Sequence, residues 1–390
     1  MFVDEKTLEA LDFERIRERA VAATRTQRGR EIAQALEPAT AFESVALAQR
    51  RTASARDLIA SADFHVIPAI DTADFTQAAS LGRTLGATDL RAIGDALAAA
   101  AAAYNAVRDD AVLREVTAGY VPLRELQRAI VDGIDERGFV LDRASTTLAR
   151  IRRSLTQSQA DARDRVGSIL RSSRYASAIQ DNVVTIREGR FVVPIKAEFA
   201  GEFPGIVHDT SSSGQTLFVE PLAALEINNR LRTLRLEEER EVLRILSELS
   251  QRIGSQAAAI EVNVDILADL DAIVAKAQVA RAMDAVEPVL VDDAAIDVRN
   301  GRHPLLGARA IPQSIAVDDT TRIVVISGPN MGGKTVALKL VGLFAVMTYC
   351  GMQVPASEGT TVGRFDRVVA DIGDEQSIVA NASTFSAHLE

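Results

Sequence analysis

Eight consecutive residues, Gly328-Pro329-Asn330-Met331-Gly332-Gly333-Lys334-Thr335, fit the spacing G-x-x-x-x-G-K-[ST]. Glycines at these places let the backbone curl, so that successive N–H groups point inward at phosphate oxygens. A helix N-terminus at the same point adds positive potential. In such a loop Lys334 reaches the β- and γ-phosphates of a nucleotide, and the Thr335 hydroxyl ligates Mg²⁺. The flanks suit this chemistry. Arg322-Ile323-Val324-Val325-Ile326-Ser327 reads as a buried strand, and Val336 to Tyr349 as an apolar helix with no Pro or Gly before Gly342. The competing reading is a Gly-rich turn opening a core helix. Agreement between the motif and its strand–loop–helix context favours the phosphate loop.

The upstream chain must position that loop. Residues 1 to about 130 read as helices: Leu8, Leu11, Phe13, Ile16 and Ala20 recur at helical spacing, and the pattern continues from Thr24 to Glu37 before Pro38. Thr40 to Ala62 is a further amphipathic stretch, and the Ala-rich run Leu90 to Val107 is a strong helix former. Residues 131–220 change in texture. Ser145 to Ser172 predicts a long Arg-rich helix, followed by β-like runs at Asn182–Ile186, Phe191–Ile195 and Thr216–Val219. Residues 221–287 are helical again, with one interior Gly, Gly254. As one helix they would span roughly 90 Å, and the alternative is two antiparallel helices broken near Gly254. Short strands and turns from about 288 lead to the phosphate loop.

With 390 residues the chain is long enough for two to four domains. Its composition is that of an ordinary soluble protein, without an apolar run of membrane-spanning length. The start lacks a signal-peptide pattern, and the lone Cys350 reads as a small core residue, so a cytoplasmic location is expected. The absence of Trp argues against a base-stacking surface. The net charge of −10 argues against non-specific nucleic-acid binding by the whole surface. The charge is uneven, however. Between Leu141 and Ala200 stand eleven basic and six acidic residues. Arg152, Arg153, Arg163, Arg187, Arg190 and Lys196 are the candidates there for a polyanion contact; the other reading of the segment is a solvated helix face with i,i+4 ion pairs.

Several blocks carry a family resemblance. The phosphate loop preceded by Gly301-Arg302-His303-Pro304-Leu305 resembles the MutS superfamily of ATP-driven DNA clamps. Leu11–Ile16, Arg190–Lys196, Val207–Gly214, Phe218–Pro221, Asn228-Asn229 and Asp371–Ser377 look like its bacterial MutS-two branch. The mismatch-reading domain of the repair branch has no counterpart at the start of the chain. The resemblance implies a multidomain α plus α/β protein: a mainly helical lever and core with an inserted small mixed clamp, then a P-loop ABC-type α/β ATPase domain. It implies ATP and Mg²⁺ as cofactors, a homodimer, and Ser383-Thr384-Phe385 as the signature element reaching the partner's nucleotide. Gln376 is a candidate sensor between the two elements. Arg302 and His303 lie near the base or ribose, or else His303 is a satisfied turn residue. His208 and Asp209 are read as turn-fixing groups rather than an acid–base pair, and Ser211–Gly214 as a turn or, alternatively, an anion nest.

The family pattern continues with an apolar strand ending in Asp-Glu, a switch histidine and a nuclease-like Smr domain. None of these occurs among the 390 residues. The expectation is therefore a fragment that holds the front half of an ATP site, binds nucleotide weakly and turns it over little or not at all. Three functions compete for the parent: an ATPase and endonuclease acting on branched or recombining DNA, a ribosome-collision sensor binding rRNA, and a nucleotide-sensing dimerisation module.

Overall fold

The computed structural model describes residues 1–318, 320–321, 323–327 and 333–372. The chain runs β1 (Phe2–Val3), α1 (Glu5–Ala10), α2 (Phe13–Ala23), α3 (Gln27–Gln34), α4 (Phe42–Ala62), α5 (Ala73–Ser80), α6 (Ala87–Val107), α7 (Arg124–Gly133) and α8 (Thr146–Leu170). It continues through β2 (Thr185–Arg187), β3 (Arg190–Lys196), β4 (Gly205–Thr210), β5 (Thr216–Pro221), α9 (Leu225–Ser255) and α10 (Ala257–Ala282). β6 (Val289–Leu290), β7 (Ile296–Gly301), β8 (Gln313–Val317), α11 (Lys334–Tyr349), β9 (Thr361–Val362) and β10 (Arg367–Val368) follow. The result is a mixed helical protein with several small sheets. Two compact units form, one from residues 1–74, 95–123 and 258–390, the other from 75–94 and 124–257.

In the first unit, α11 is the centre of a core that also takes Leu11, Phe13 and Ile16 from the N-terminal helices and Ile296 and Val298 from β7. Beside it stands a sheet of order β6-β9-β7-β8, and β1 pairs in parallel with β10. A second cluster packs Ala99, Ala100 and Ala103 of α6 against Leu267, Leu270 and Val274 of α10. The alanines let the helix backbones approach, and their lack of rotamer freedom makes the helix inexpensive in entropy.

The N-terminal periodicity resolves into three helices, not a continued run. Asp12 adopts a left-handed conformation (φ 56°) between α1 and α2. The α2–α3 break comes at Thr24–Thr26: the Thr26 hydroxyl caps α3 by accepting from the Gly29 amide, and Asp271 braces that cap, its carboxylate accepting from the amides of Arg25 and Thr26 and from the Thr26 hydroxyl. A partner 245 residues downstream leaves no trace in local periodicity.

In the second unit, α8 and α9 pack against a four-stranded antiparallel sheet of order β2-β3-β5-β4, with Val193, Ile195, Val219 and Leu231 in its core. Ser145 caps α8, its hydroxyl accepting from the amides of Thr147 and Leu148. Glu188 and Gly189 both have positive φ and make the tight β2–β3 turn. Strand β4 was not apparent from the sequence, because its polar residues alternate poorly.

The segment 221–287 is two helices. The break falls at Gln256, near Gly254 as expected. Gly254 itself serves packing: a Cβ there would run into the Ala79 carbonyl. The expected buried strand before the phosphate loop is corrected. Residues 323–327 form no strand, and Ile323 and Val325 are 82% and 84% exposed. Their neighbours Val324 and Ile326 turn the other way and line an apolar cavity of about 450 Å³ with Ile315, Val317 and Val341. The run has a strand's period of two, but burial of both sets of side chains needs a sheet covered by a packed layer on each face. Among the described residues none pairs with it.

Candidate functional site

Helix α11 begins at Lys334, and Gly333 caps it in the left-handed conformation (φ 79°), which only glycine adopts without strain. Lys334 and Thr335 therefore occupy the first turn, where backbone N–H groups lack intrahelical acceptors and positive potential gathers. Gly328, Pro329, Asn330, Met331 and Gly332 lie outside the described residues, as do Gln376, Ser383, Thr384 and Phe385.

A residue that motif reading missed stands beside this turn. The Gln313 amide nitrogen lies 3.5 Å from where a Cβ on Gly333 would sit, and its Oε1 is buried without a hydrogen-bond partner. Gln313 starts β8, 20 positions upstream, so only the tertiary fold brings it here. A buried amide oxygen left without a donor fits a ligand that offers one.

His303 precedes a short 3-10 turn, is 6% exposed, and neither ring nitrogen has a hydrogen-bond partner. The expectation of a satisfied turn histidine is thus overturned. Burial lowers its pKa, so the ring is neutral at physiological pH; Asp12, Lys339 and Arg15 are its charged neighbours. Asp12 itself pairs with Lys339 of α11 at 2.6 Å. Arg302 is exposed, and its backbone amide donates to Pro355.

The other end of α11 is held by side chains. Gln49 of α4 donates to the carbonyls of Thr348 and Met352 at 2.8 and 2.9 Å. The Thr52 hydroxyl donates to Gly351 and Lys276 Nζ to Cys350. These groups satisfy the carbonyls that every helix leaves unpaired at its C-terminus. The Cys350 thiol is buried and raised to about 12 by that burial, so it is a core group and not a nucleophile.

In the second unit the basic candidates divide. Arg152 is engaged by Glu238 and Asp142 at 2.7 and 2.8 Å and stacks on Phe139. Arg190 binds Glu220 at 2.7 Å and Asn229. Arg187 pairs with Asp209 and lies over Phe218, and Lys196 lies over Phe199. Arg153 and Arg163 are exposed on α8. The fold brings these six side chains to no common point.

His208 stands in β4, not in a turn. Its Nε2 lies 2.6 Å from Glu220, whose carboxylate also accepts from Arg190 and Asn228. A carboxylate held by Arg190 only accepts, so Nε2 carries the proton. This closed network ties β3, β4 and β5 to α9. The amides of Ser211 and Gly214 are used within the β4–β5 turn, donating to the carbonyls of Thr216 and Ser211.

A family model described as MutS domain V matches residues 324–390. Along 99% of its length the chain is 40% identical to Endonuclease MutS2 of Pelotomaculum thermopropionicum and covers 50% of that protein. It is 42% identical to Endonuclease MutS2 of Symbiobacterium thermophilum, covering 49% of it. It is 38% identical to Endonuclease MutS2 of Acetivibrio thermocellus, again covering 50%. The chain thus spans about half the length of the curated relatives it matches. Together, the domain V match and a similarity that runs the whole length of the chain support the MutS2 family for this protein.

Proposed function

We propose that the chain is the ATP-binding part of a MutS-type protein that acts on nucleic acid. The observation that carries the nucleotide half is the start of α11: a left-handed Gly333, then Lys334 and Thr335 in the first turn, with the orphaned Gln313 amide alongside. Lys334 would hold the β- and γ-phosphates, the amides of 328–333 would wrap them, and Gln313 would give its free carbonyl to a polar edge of the nucleotide. Mg²⁺, when bound through Thr335, would offset the triphosphate charge. The anchored C-terminus of α11 keeps these groups in place while the ligand enters.

The nucleic-acid half is supported by the relatives, whose name is Endonuclease MutS2. In this reading the whole protein is a homodimer in which Ser383-Thr384-Phe385 of one copy approach the nucleotide of the other. Titration of a fluorescent ATP analogue with Mg²⁺ tests the site. Lys334→Ala should weaken binding at least tenfold, and Gln313→Ala by a few-fold. Equal affinity in wild type and Lys334→Ala would refute the assignment.

A further inference from the structure

Helices α7, α8 and α9 of the second unit enclose two adjoining hollows, about 330 and 490 Å³ in volume, which share Arg244 as a common wall. Six arginines line them: Arg128, Arg143, Arg150, Arg240, Arg244 and Arg252. Four carboxylates share the lining, namely Asp132, Glu237, Glu241 and Glu248. Arg244 engages two of these, Glu241 at 2.9 Å and Glu248 at 2.8 Å. The other five arginines form no ion pair with any described residue; Arg143 donates only to the Asp132 carbonyl. They face two remaining acids. In a chain of net charge −10, a concave surface with this surplus is a local exception.

The spacing is ordered as well as the sign. Arg240, Arg244 and Arg252 form a stripe that winds about 120° around α9, since steps of four and eight residues advance by about 40° and 80°; Arg240 accordingly lines one hollow, Arg252 the other and Arg244 both. From 240 to 252 the stripe extends about 18 Å at 1.5 Å per residue. A nucleic-acid strand places a phosphate about every 3.4 Å of helix axis, so the stripe runs alongside about five of them. Arg128 and Arg143 stand on one side and Arg150 on the other. Guanidinium groups bind phosphate oxygens bidentately and keep their charge at every physiological pH.

We infer that this arginine trough between α7, α8 and α9 takes the phosphodiester backbone of a nucleic acid. The inference rests on the reading of the protein as one that acts on nucleic acid, and assigns that contact to residues other than Arg152 and Arg190, whose charges are already neutralised. Backbone contacts of this kind fix register and carry no sequence information. The trough therefore sets affinity and salt dependence, not base preference.

Fluorescence anisotropy of the full chain tests it with three labelled probes: a 30-nucleotide DNA strand, a four-way DNA junction and an RNA hairpin. The doubly reversed variant Arg240→Glu/Arg252→Glu should weaken binding of the bound probe more than tenfold and lower the slope of log K against log salt by about two. Arg128→Gln/Arg150→Gln, a milder change that preserves folding, should weaken it several-fold. The control Arg114→Glu/Arg137→Glu, outside the trough, should change little; circular dichroism checks that each variant is folded. Loss confined to the DNA probes or to the hairpin identifies which polymer the trough serves. Undiminished binding by both trough variants overturns the trough while leaving the nucleic-acid reading intact. A wild-type chain that binds no probe at 50 mM salt overturns both.

Discussion

Two arginine-rich regions of the second unit treat charge in opposite ways. At the joint between the sheet and α9, Glu220 is 1% exposed and receives Arg190, His208 and Asn228, so each polar group has a partner. In the trough between α7, α8 and α9, five arginines have no carboxylate of their own. The first region is a closed network whose role ends at holding strands to a helix. The second keeps its donors exposed to solvent, where they are inexpensive to hydrate and ready for an outside anion. The local density of arginine does not separate the two cases; the placement of carboxylates from distant parts of the chain does.

The contrast can be broken most forcefully at Glu220. Glu220→Ala leaves Arg190 half-buried without its carboxylate acceptor, and should cost about 3 kcal/mol in chemical denaturation. A loss under 1 kcal/mol would mean that the network is not closed in solution. The same rule applies in the first unit at the C-terminus of α11. Gln49→Leu removes the donor from two buried carbonyls and should cost about 2 kcal/mol, read by the same measurement.

Glu241 stands between the two regimes, because it lines the trough yet accepts from Arg244 and Ser145. Arg244 first, and then Ser145, hold its pKa below the usual glutamate range against the opposing effect of burial. The sign follows from linkage: a depressed folded value gives stability that is complete above the unfolded pKa of about 4.3 and is lost as pH falls through the folded one. Glu241→Gln should therefore flatten part of the acid limb of a stability–pH profile and leave the alkaline limb unchanged. At the small end, Arg240→Glu/Arg252→Glu should alter stability by no more than about 0.5 kcal/mol, although it is expected to have the largest effect on polyanion binding. A large loss of stability in that variant would show that the trough arginines are structural after all.

Much of this was legible in the residues. The extents of α4, α6, α8 and α11 follow from apolar periodicity, from Ser145 as a cap and from the glycines before Lys334. The β2–β3 turn is visible in Glu188-Gly189. The family blocks were equally direct, since they depend on residue order alone. What escaped was whatever depends on a partner far away in sequence. Asp271 braces the Thr26 cap of α3, the Ala79 carbonyl requires the glycine at 254, and Gln313 meets Gly333 only once β8 is laid down.

The amino-acid order by itself determined the helical stretches, the phosphate-loop motif and the family resemblance, because these are properties of short segments and of identity along the chain. Only the tertiary structure decided which arginines are neutralised and which remain open, and which amide stands next to the start of α11. Charge neutralisation and hydrogen bonding act over a few ångströms of space, and side chains hundreds of residues apart meet at that distance only after the chain has folded.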